Sequence, residues 1–137
     1  MPTDGSGSGH SIEILFNGKY YDLYYIRSTN DIKTFIDNLE RDDISQHDKL
    51  IALLTKITEI ETPNSGIMRN KEKFRHCEGY HGIYEIKSDR VRIPCFFEGK
   101  KLIFTHGFFK GKIKEQRKEF KTAETIREQR KAYNEKR

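Results

Sequence analysis

The sequence predicts an α+β domain: a twisted antiparallel sheet with two N-terminal helices packed on one face and a basic helix at the C-terminus. Three observations carry that prediction. Apolar residues repeat with helical spacing between Asp31 and Ile60, then alternate from Lys73 onward. Two aromatic and β-branched runs flank Asn17-Gly18, a pair favoured in tight hairpin turns. The charge is graded: residues 1–63 carry 6 Lys/Arg and 11 Asp/Glu, residues 64–99 carry 7 and 5, and residues 100–137 carry 13 and 5.

In chain order, residues 1–11 are rich in Gly and Ser and read as a flexible tail or cloning scar, leaving 12–137 as a single domain. Ile12 to Phe16 and Tyr20 to Ile26 form the predicted opening hairpin, with a type I′ turn at Asn17-Gly18. Asn30 or Asp31 caps a helix whose apolar face is Ile32, Phe35, Ile36 and Leu39. Ser45 is the expected cap of a second helix carrying Leu50, Leu53, Leu54 and Ile57, which stops before Thr62-Pro63-Asn64-Ser65-Gly66. Strands are then expected at Phe74 to Glu78, Ile83 to Lys87, Val91 to Phe97 and Lys101 to Phe108, as an antiparallel meander. Val91, Ile93, Cys95 and Phe97 share one face of the third of these strands and Arg92 points to the other, while Pro94 suggests an edge or a bulge. Thr122 is a candidate cap for a final helix running toward Lys136, and the pattern leaves open whether Ile113 to Lys121 already belongs to that helix.

Composition removes several classes of function. A chain of 137 residues fits one domain, and its 34% hydrophobic content is supplemented by nine Phe and seven Tyr, enough for a packed core rather than disorder. No apolar run approaches the roughly 20 residues that cross a bilayer, and no basic, apolar leader stands at the N-terminus, so a cytoplasmic protein is expected. Two cysteines, Cys77 and Cys95, cannot build a disulfide framework. His76, Cys77, His81, Cys95 and His106 lack paired metal-ligand spacing, so no metal is expected. There is neither a nucleophile elbow nor a phosphate-binding glycine loop.

What remains is cationic. The local net charges of −5, +2 and +8 point to a polyanionic partner, because clustered Lys and Arg gain affinity by releasing counterions. Lys71, Lys73, Arg75, Lys87, Arg90, Arg92, Lys110 and Lys112 can be gathered by adjacent strands onto one face. Cleavage of RNA by its own 2′-hydroxyl requires a base, a cation over the phosphorane and an acid for the 5′ oxygen, with no metal. An Arg fork suits the middle role, and His or a Lys or Arg of perturbed pKa suits the others. The plain alternative is a charged strand surface kept for solubility.

At three segments the pattern becomes specific. Glu85-Ile86-Lys87, then Val91-Arg92-Ile93 with Phe96-Phe97, then Leu102 to Lys110 with its Gly107-Phe108, together resemble the strand signature of the RelE/HigB/ParE toxin superfamily. The similarity is greatest to its phage-derived HigB-like branch. Element order matches over about 12–137, and motifs match within 73–112. The resemblance implies a small cytoplasmic toxin of a type II toxin-antitoxin pair, a ribosome-dependent mRNA endonuclease that needs no cofactor. It implies as partners a helix-turn-helix, HigA-like antitoxin, the ribosome and mRNA. Arg92 matches the family's strand arginine, Lys87 the residue closing its Glu-Leu-Arg motif, Arg75 or His76 a basic position, and Lys110 and Lys112 the basic pair after Gly-Phe.

The catalytic candidates are thus Arg92, Arg75 and Lys110, with His106 added by position as an acid or base. Lys73, His76, Lys87, Lys112, Lys118, Lys121 and Arg130 are the candidate RNA contacts, the last three docking the basic helix on ribosomal RNA. The sequence departs from RelE where Ile83 and Glu85 replace catalytic lysines, and from other members where Phe108 and Phe109 stand for a tyrosine or histidine. A ParE-like gyrase poison and a nonenzymatic nucleic-acid-binding module are the alternatives.

Overall fold

The computed structural model describes residues 11–136. The N-terminal tail, residues 1–11, lies outside the described residues except for Ser11. The chain forms β1 (Ile12–Phe16), β2 (Asp22–Ile26), α1 (Ile32–Asp42), α2 (Ile44–Glu59), a 3-10 turn (Gly66–Arg69), β3 (Phe74–His76), β4 (Tyr84–Ser88), β5 (Val91–Glu98), β6 (Lys101–Phe104), β7 (Phe108–Phe109) and α3 (Ile113–Glu135).

The opening hairpin forms, but its turn is not type I′. That turn needs positive φ at both central residues, and neither Asn17 nor Gly18 has it. The loop instead spans residues 17–21, with the Gly18 N–H donating to Asp22 Oδ1 (2.9 Å) and the Lys19 N–H to the Thr58 carbonyl (2.8 Å). Gly18 is required by close approach, since a Cβ there would lie 2.0 Å from the Tyr21 carbonyl oxygen. Docking onto the end of α2 therefore outweighs the local turn preference.

Asp31 caps α1, its carboxylate accepting from the Thr34 N–H at 2.9 Å. Asp43, not Ser45, begins α2: its side chain accepts from the Gln46 N–H while its own N–H closes α1 on the Leu39 carbonyl (2.8 Å). One aspartate thus serves both helices, and the break between them shrinks to a single residue. Ile32, Ile36, Leu39, Leu50, Leu53, Leu54 and Ile57 are buried against one face of the sheet.

Seven strands make one sheet in the order β1-β2-β6-β5-β4-β3, with β7 also paired to β5. The sheet is mixed rather than purely antiparallel, because β2 and β6 run parallel with Leu23 opposite Leu102 and Tyr25 opposite Phe104. The helices carry the chain from β2 to the far edge at β3, and three hairpin reversals then return it to β2 in the same direction. The expected fourth meander strand ends early, at Phe104, and residues 108–109 form a separate strand against the start of β5.

That division explains Pro94, which lies in a central strand, not at an edge. The β6 ladder begins at Cys95 and the β7 ladder ends at Arg92, so the proline without an N–H falls in the gap between them. Thr105 bridges the gap, its N–H (3.0 Å) and hydroxyl (3.2 Å) both donating to the Pro94 carbonyl.

The final helix starts at Ile113, nine residues before the expected cap. Thr122 lies inside it, its hydroxyl donating to the Lys118 carbonyl at 3.0 Å. Phe120, Ala123 and Ile126 close the second face of the sheet over Ile26, Ile83, Phe96 and Ile103. Arg130 fixes the far end of α3, its Nε and Nη2 donating to the two oxygens of Glu98 at 2.6 and 3.1 Å. No helix among the described residues is long and apolar enough to cross a membrane.

Candidate functional site

The face shared with α3 is apolar only where α3 lies on it. Beyond the helix, the strand registers line up two rows of side chains, each with two charged members. Arg75 of β3, Glu85 of β4 and Pro94 of β5 are opposite one another, and so are Lys87, Arg92 and Phe108 of β4, β5 and β7. The period of two along each strand sends these residues to the same side, away from Ile86, Val91 and Ile93, which face α1 and α2.

Glu85 is fully buried and accepts from Arg75 Nε at 2.8 Å through one oxygen, while its second oxygen has no hydrogen-bond partner. A lone buried carboxylate is costly. Here it is offset by the cations around it: both Arg75 and Arg92 interact with it electrostatically.

Arg92 is buried, with its Nη1 donating to the carbonyls of Asp89 (2.5 Å) and Val91 (3.0 Å). The turn that offers the Asp89 carbonyl holds Asp89 at a φ of 53° and is anchored on α2, where Gln46 and Lys49 donate to the Asp89 carboxylate at 2.7 and 2.8 Å. One edge of the guanidinium is thereby fixed, while Nε and Nη2 donate to no protein group. Burial, followed by the neighbouring Arg75, holds the Arg92 pKa below the usual arginine range, against the pull of Glu85 and Asp89.

Lys87 is half-buried beside it. Burial first, then the charges of Arg75, Arg92 and Lys110, lower its pKa, and Glu85 opposes them. Lys110 is brought in by its backbone N–H, which donates to the Arg90 carbonyl at 2.7 Å. Four cations therefore converge around one buried carboxylate, giving a local excess of positive charge suited to a phosphodiester whose charge grows in the transition state.

Not every candidate residue joins this cluster. His106 lies in the segment linking β6 to β7 with its Nδ1 at 2.9 Å from the Thr105 hydroxyl and its Nε2 at 3.5 Å from a Glu119 oxygen, stacked on Phe108. Burial lowers its pKa against the opposing Glu119, and its Nε2 is buried under α3 without a hydrogen-bond partner, away from the cationic cluster. Lys73 lines a groove with Lys49, Leu53, Lys56 and Asp89 along α2. His76 turns to the other face, its ring edge against Tyr84 at 5.2 Å. Lys112 is the exposed N-cap of α3, and Lys118 and Lys121 are exposed on that helix, Lys121 paired with Glu124 at 3.1 Å. Arg130 differs from what the charge pattern suggested. It is 6% exposed and committed to Glu98, which makes it an anchor of the helix rather than a contact for RNA.

The residue that sequence reasoning undervalued is Glu85. A signal existed, in that Glu85 sits at an inward position of a strand between Ile83 and Lys87, where an acidic side chain must find cationic partners. The two thiols are inert: burial pushes Cys77 up to about 12 and Cys95 well above the usual thiol range. Among the described residues, no group of three or more His, Cys, Asp or Glu is placed to hold a metal ion.

No family model matches the chain, and no curated protein does. Among solved structures it is similar to the RelB–RelE antitoxin–toxin complex from Methanococcus jannaschii, at 21% sequence identity and a TM-score of 0.41, over 56% of this chain and 85% of that one. At that level the likeness assigns no activity, and the functional reading rests on the site itself.

Proposed function

We propose that this chain is the toxin of a type II toxin-antitoxin pair, of the HigB-like kind, and that it cleaves mRNA on the ribosome by 2′-hydroxyl transesterification. The observation that supports this most is the guanidinium of Arg92, fixed on one edge by two carbonyls, with Nε and Nη2 bonded to no protein group, and set among Lys87, Arg75 and Lys110.

In this reading the 2′-hydroxyl releases its proton to solvent water as its oxygen attacks the adjacent phosphorus, a 2′,3′-cyclic phosphate forms, and the bond from phosphorus to the 5′ oxygen breaks, that oxygen taking up a proton in turn. Arg92 receives the phosphorane oxygens on Nε and Nη2, a planar two-point contact that a lysine cannot make. Lys87 hands a proton to the departing 5′ oxygen, and its lowered pKa makes that transfer easier than from an ordinary lysine. Arg75, oriented by Glu85, and Lys110 hold the flanking phosphates. The ribosome supplies the mRNA in position, and Lys112, Lys118 and Lys121 supply exposed charge for docking on ribosomal RNA. An antitoxin inhibits by covering the cationic face with acidic side chains.

The test is to incubate the purified protein with a defined mRNA, with and without programmed ribosomes, and to map new 5′ ends. Cuts that require ribosomes and leave cyclic phosphate support the proposal. A folded protein that cuts in neither condition refutes it and favours gyrase poisoning or simple nucleic-acid binding.

A further inference from the structure

On the outer edge of the sheet lies a second basic feature. A groove of about 590 Å³ runs between the 3-10 turn and β3, lined by Arg69, Lys71, Arg75, His76 and Tyr84, with Glu78 as its one acidic residue. Met68 and Phe74, both buried, form its base. Phe74 and Tyr84 stack with rings 5.2 Å apart and nearly parallel, and the exposed His76 stands edge-on to Tyr84, so the floor is an aromatic stack. Arg69 and Lys71 are exposed and enter no ion pair among the described residues.

Arg75 belongs to both places. Its Nε reaches through to Glu85 in the cationic cluster, while its partly exposed side chain lines the groove. The groove is therefore continuous with the cluster around the β3 edge.

From this continuity we infer that the groove binds the single-stranded RNA flanking the scissile phosphate, with phosphates on Arg69 and Lys71 and a base on the His76–Tyr84 surface. The inference rests on the proposed function in taking RNA as the ligand. Single-stranded nucleic acid is what a cationic groove floored by aromatic rings recognises without base pairing, since every base offers a π-face and every nucleotide a phosphate. An acidic peptide would satisfy the cations but leave the ring surface unused.

The test compares the wild-type chain with the double variant Arg69→Ser, Lys71→Ser, neither residue being part of the cationic cluster. Binding of a 2′-O-methylated single-stranded RNA of about 12 nucleotides, which cannot be cleaved, is followed by fluorescence anisotropy across a salt series, alongside ribosome-programmed cleavage. Each phosphate neutralised on a single strand contributes about 0.7 to the salt slope, so losing two flattens it by about 1.4 and weakens binding about tenfold at 0.15 M salt. Equal affinity and slope for the two proteins overturn the groove while leaving the cleavage reading intact. Retained RNA affinity with lost binding of a poly-glutamate peptide also overturns it, in favour of an antitoxin contact. If neither protein cuts mRNA yet RNA binding still depends on Arg69 and Lys71, the cleavage reading fails and the groove stands.

Discussion

Replacing Arg92 separates its two tasks, because the side chain both holds a turn and offers a cation. In Arg92→Ala the carbonyls of Asp89 and Val91 lose the donors now at 2.5 and 3.0 Å. At about 0.5–1.5 kcal/mol net per hydrogen bond, partly offset because a buried charge is also removed, the loss is about 1–2 kcal/mol. That corresponds to about 4–8 °C in Tm for a domain of this size. Removing a donor aimed at developing charge costs a further ~10²–10³ in rate. Arg92→Lys keeps the charge and loses the planar fork, so cleavage should fall nearly as far while much of the stability returns. The measurements are thermal unfolding by circular dichroism and the single-turnover rate of ribosome-dependent mRNA cleavage. A folded Arg92→Ala protein that cuts at the wild-type rate would refute the assignment of Arg92 to the reacting phosphate.

Four further outcomes follow from the same structure. Lys87→Met should slow cleavage yet raise the melting temperature at pH 7: a folded pKa below the unfolded 10.5 means the charged form costs stability at all lower pH, a cost that fades as pH rises toward 10.5, so the gain should shrink there. An unchanged or lower Tm at pH 7 contradicts it. Arg130→Ala should destabilise by about 2–3 kcal/mol by leaving the largely buried Glu98 carboxylate without its bidentate partner, read as a shifted urea midpoint, with little change in RNA affinity. In contrast, Lys118→Glu with Lys121→Glu should weaken ribosome binding and flatten its salt dependence, at a loss of no more than about 1 kcal/mol of stability from the exposed Lys121–Glu124 pair, and identical binding across the salt series rejects the docking role. Gly107→Ala should cost about 1–3 kcal/mol, because the new Cβ would lie 2.5 Å from the Phe35 ring and push α1 off β7, which thermal unfolding would detect.

Much of the architecture can be read from residue order alone, since local rules govern it. Helical spacing at Ile32, Ile36 and Leu39 and at Leu50, Leu53 and Leu54 identifies α1 and α2, and alternation identifies β4 and β5 and places Arg92 opposite Val91 and Ile93. Local preference also has its limits. Asn17-Gly18 gives way to a loop docked on Thr58, and Thr122, a reasonable cap by composition, is an interior residue of a longer helix. At the loop a tertiary contact outweighs about 1 kcal/mol of intrinsic preference, and at Thr122 the helix continues through the residue, whose hydroxyl bonds back to the preceding turn.

The sequence by itself determined the fold class and the charge layout of this protein: an α+β chain with acidic and basic ends and an arginine-bearing strand. Only the tertiary structure decided which cations act together. The registers joined Arg75, Lys87 and Arg92 around the buried Glu85, the β6–β7 break turned His106 inward against Glu119, and Glu98 withdrew Arg130 from the surface. The physical reason is range. Periodicity is a property of neighbours in the chain and fixes which face a residue occupies, whereas the pairing and burial of a charge depend on residues distant in sequence that only the folded sheet brings within hydrogen-bonding distance.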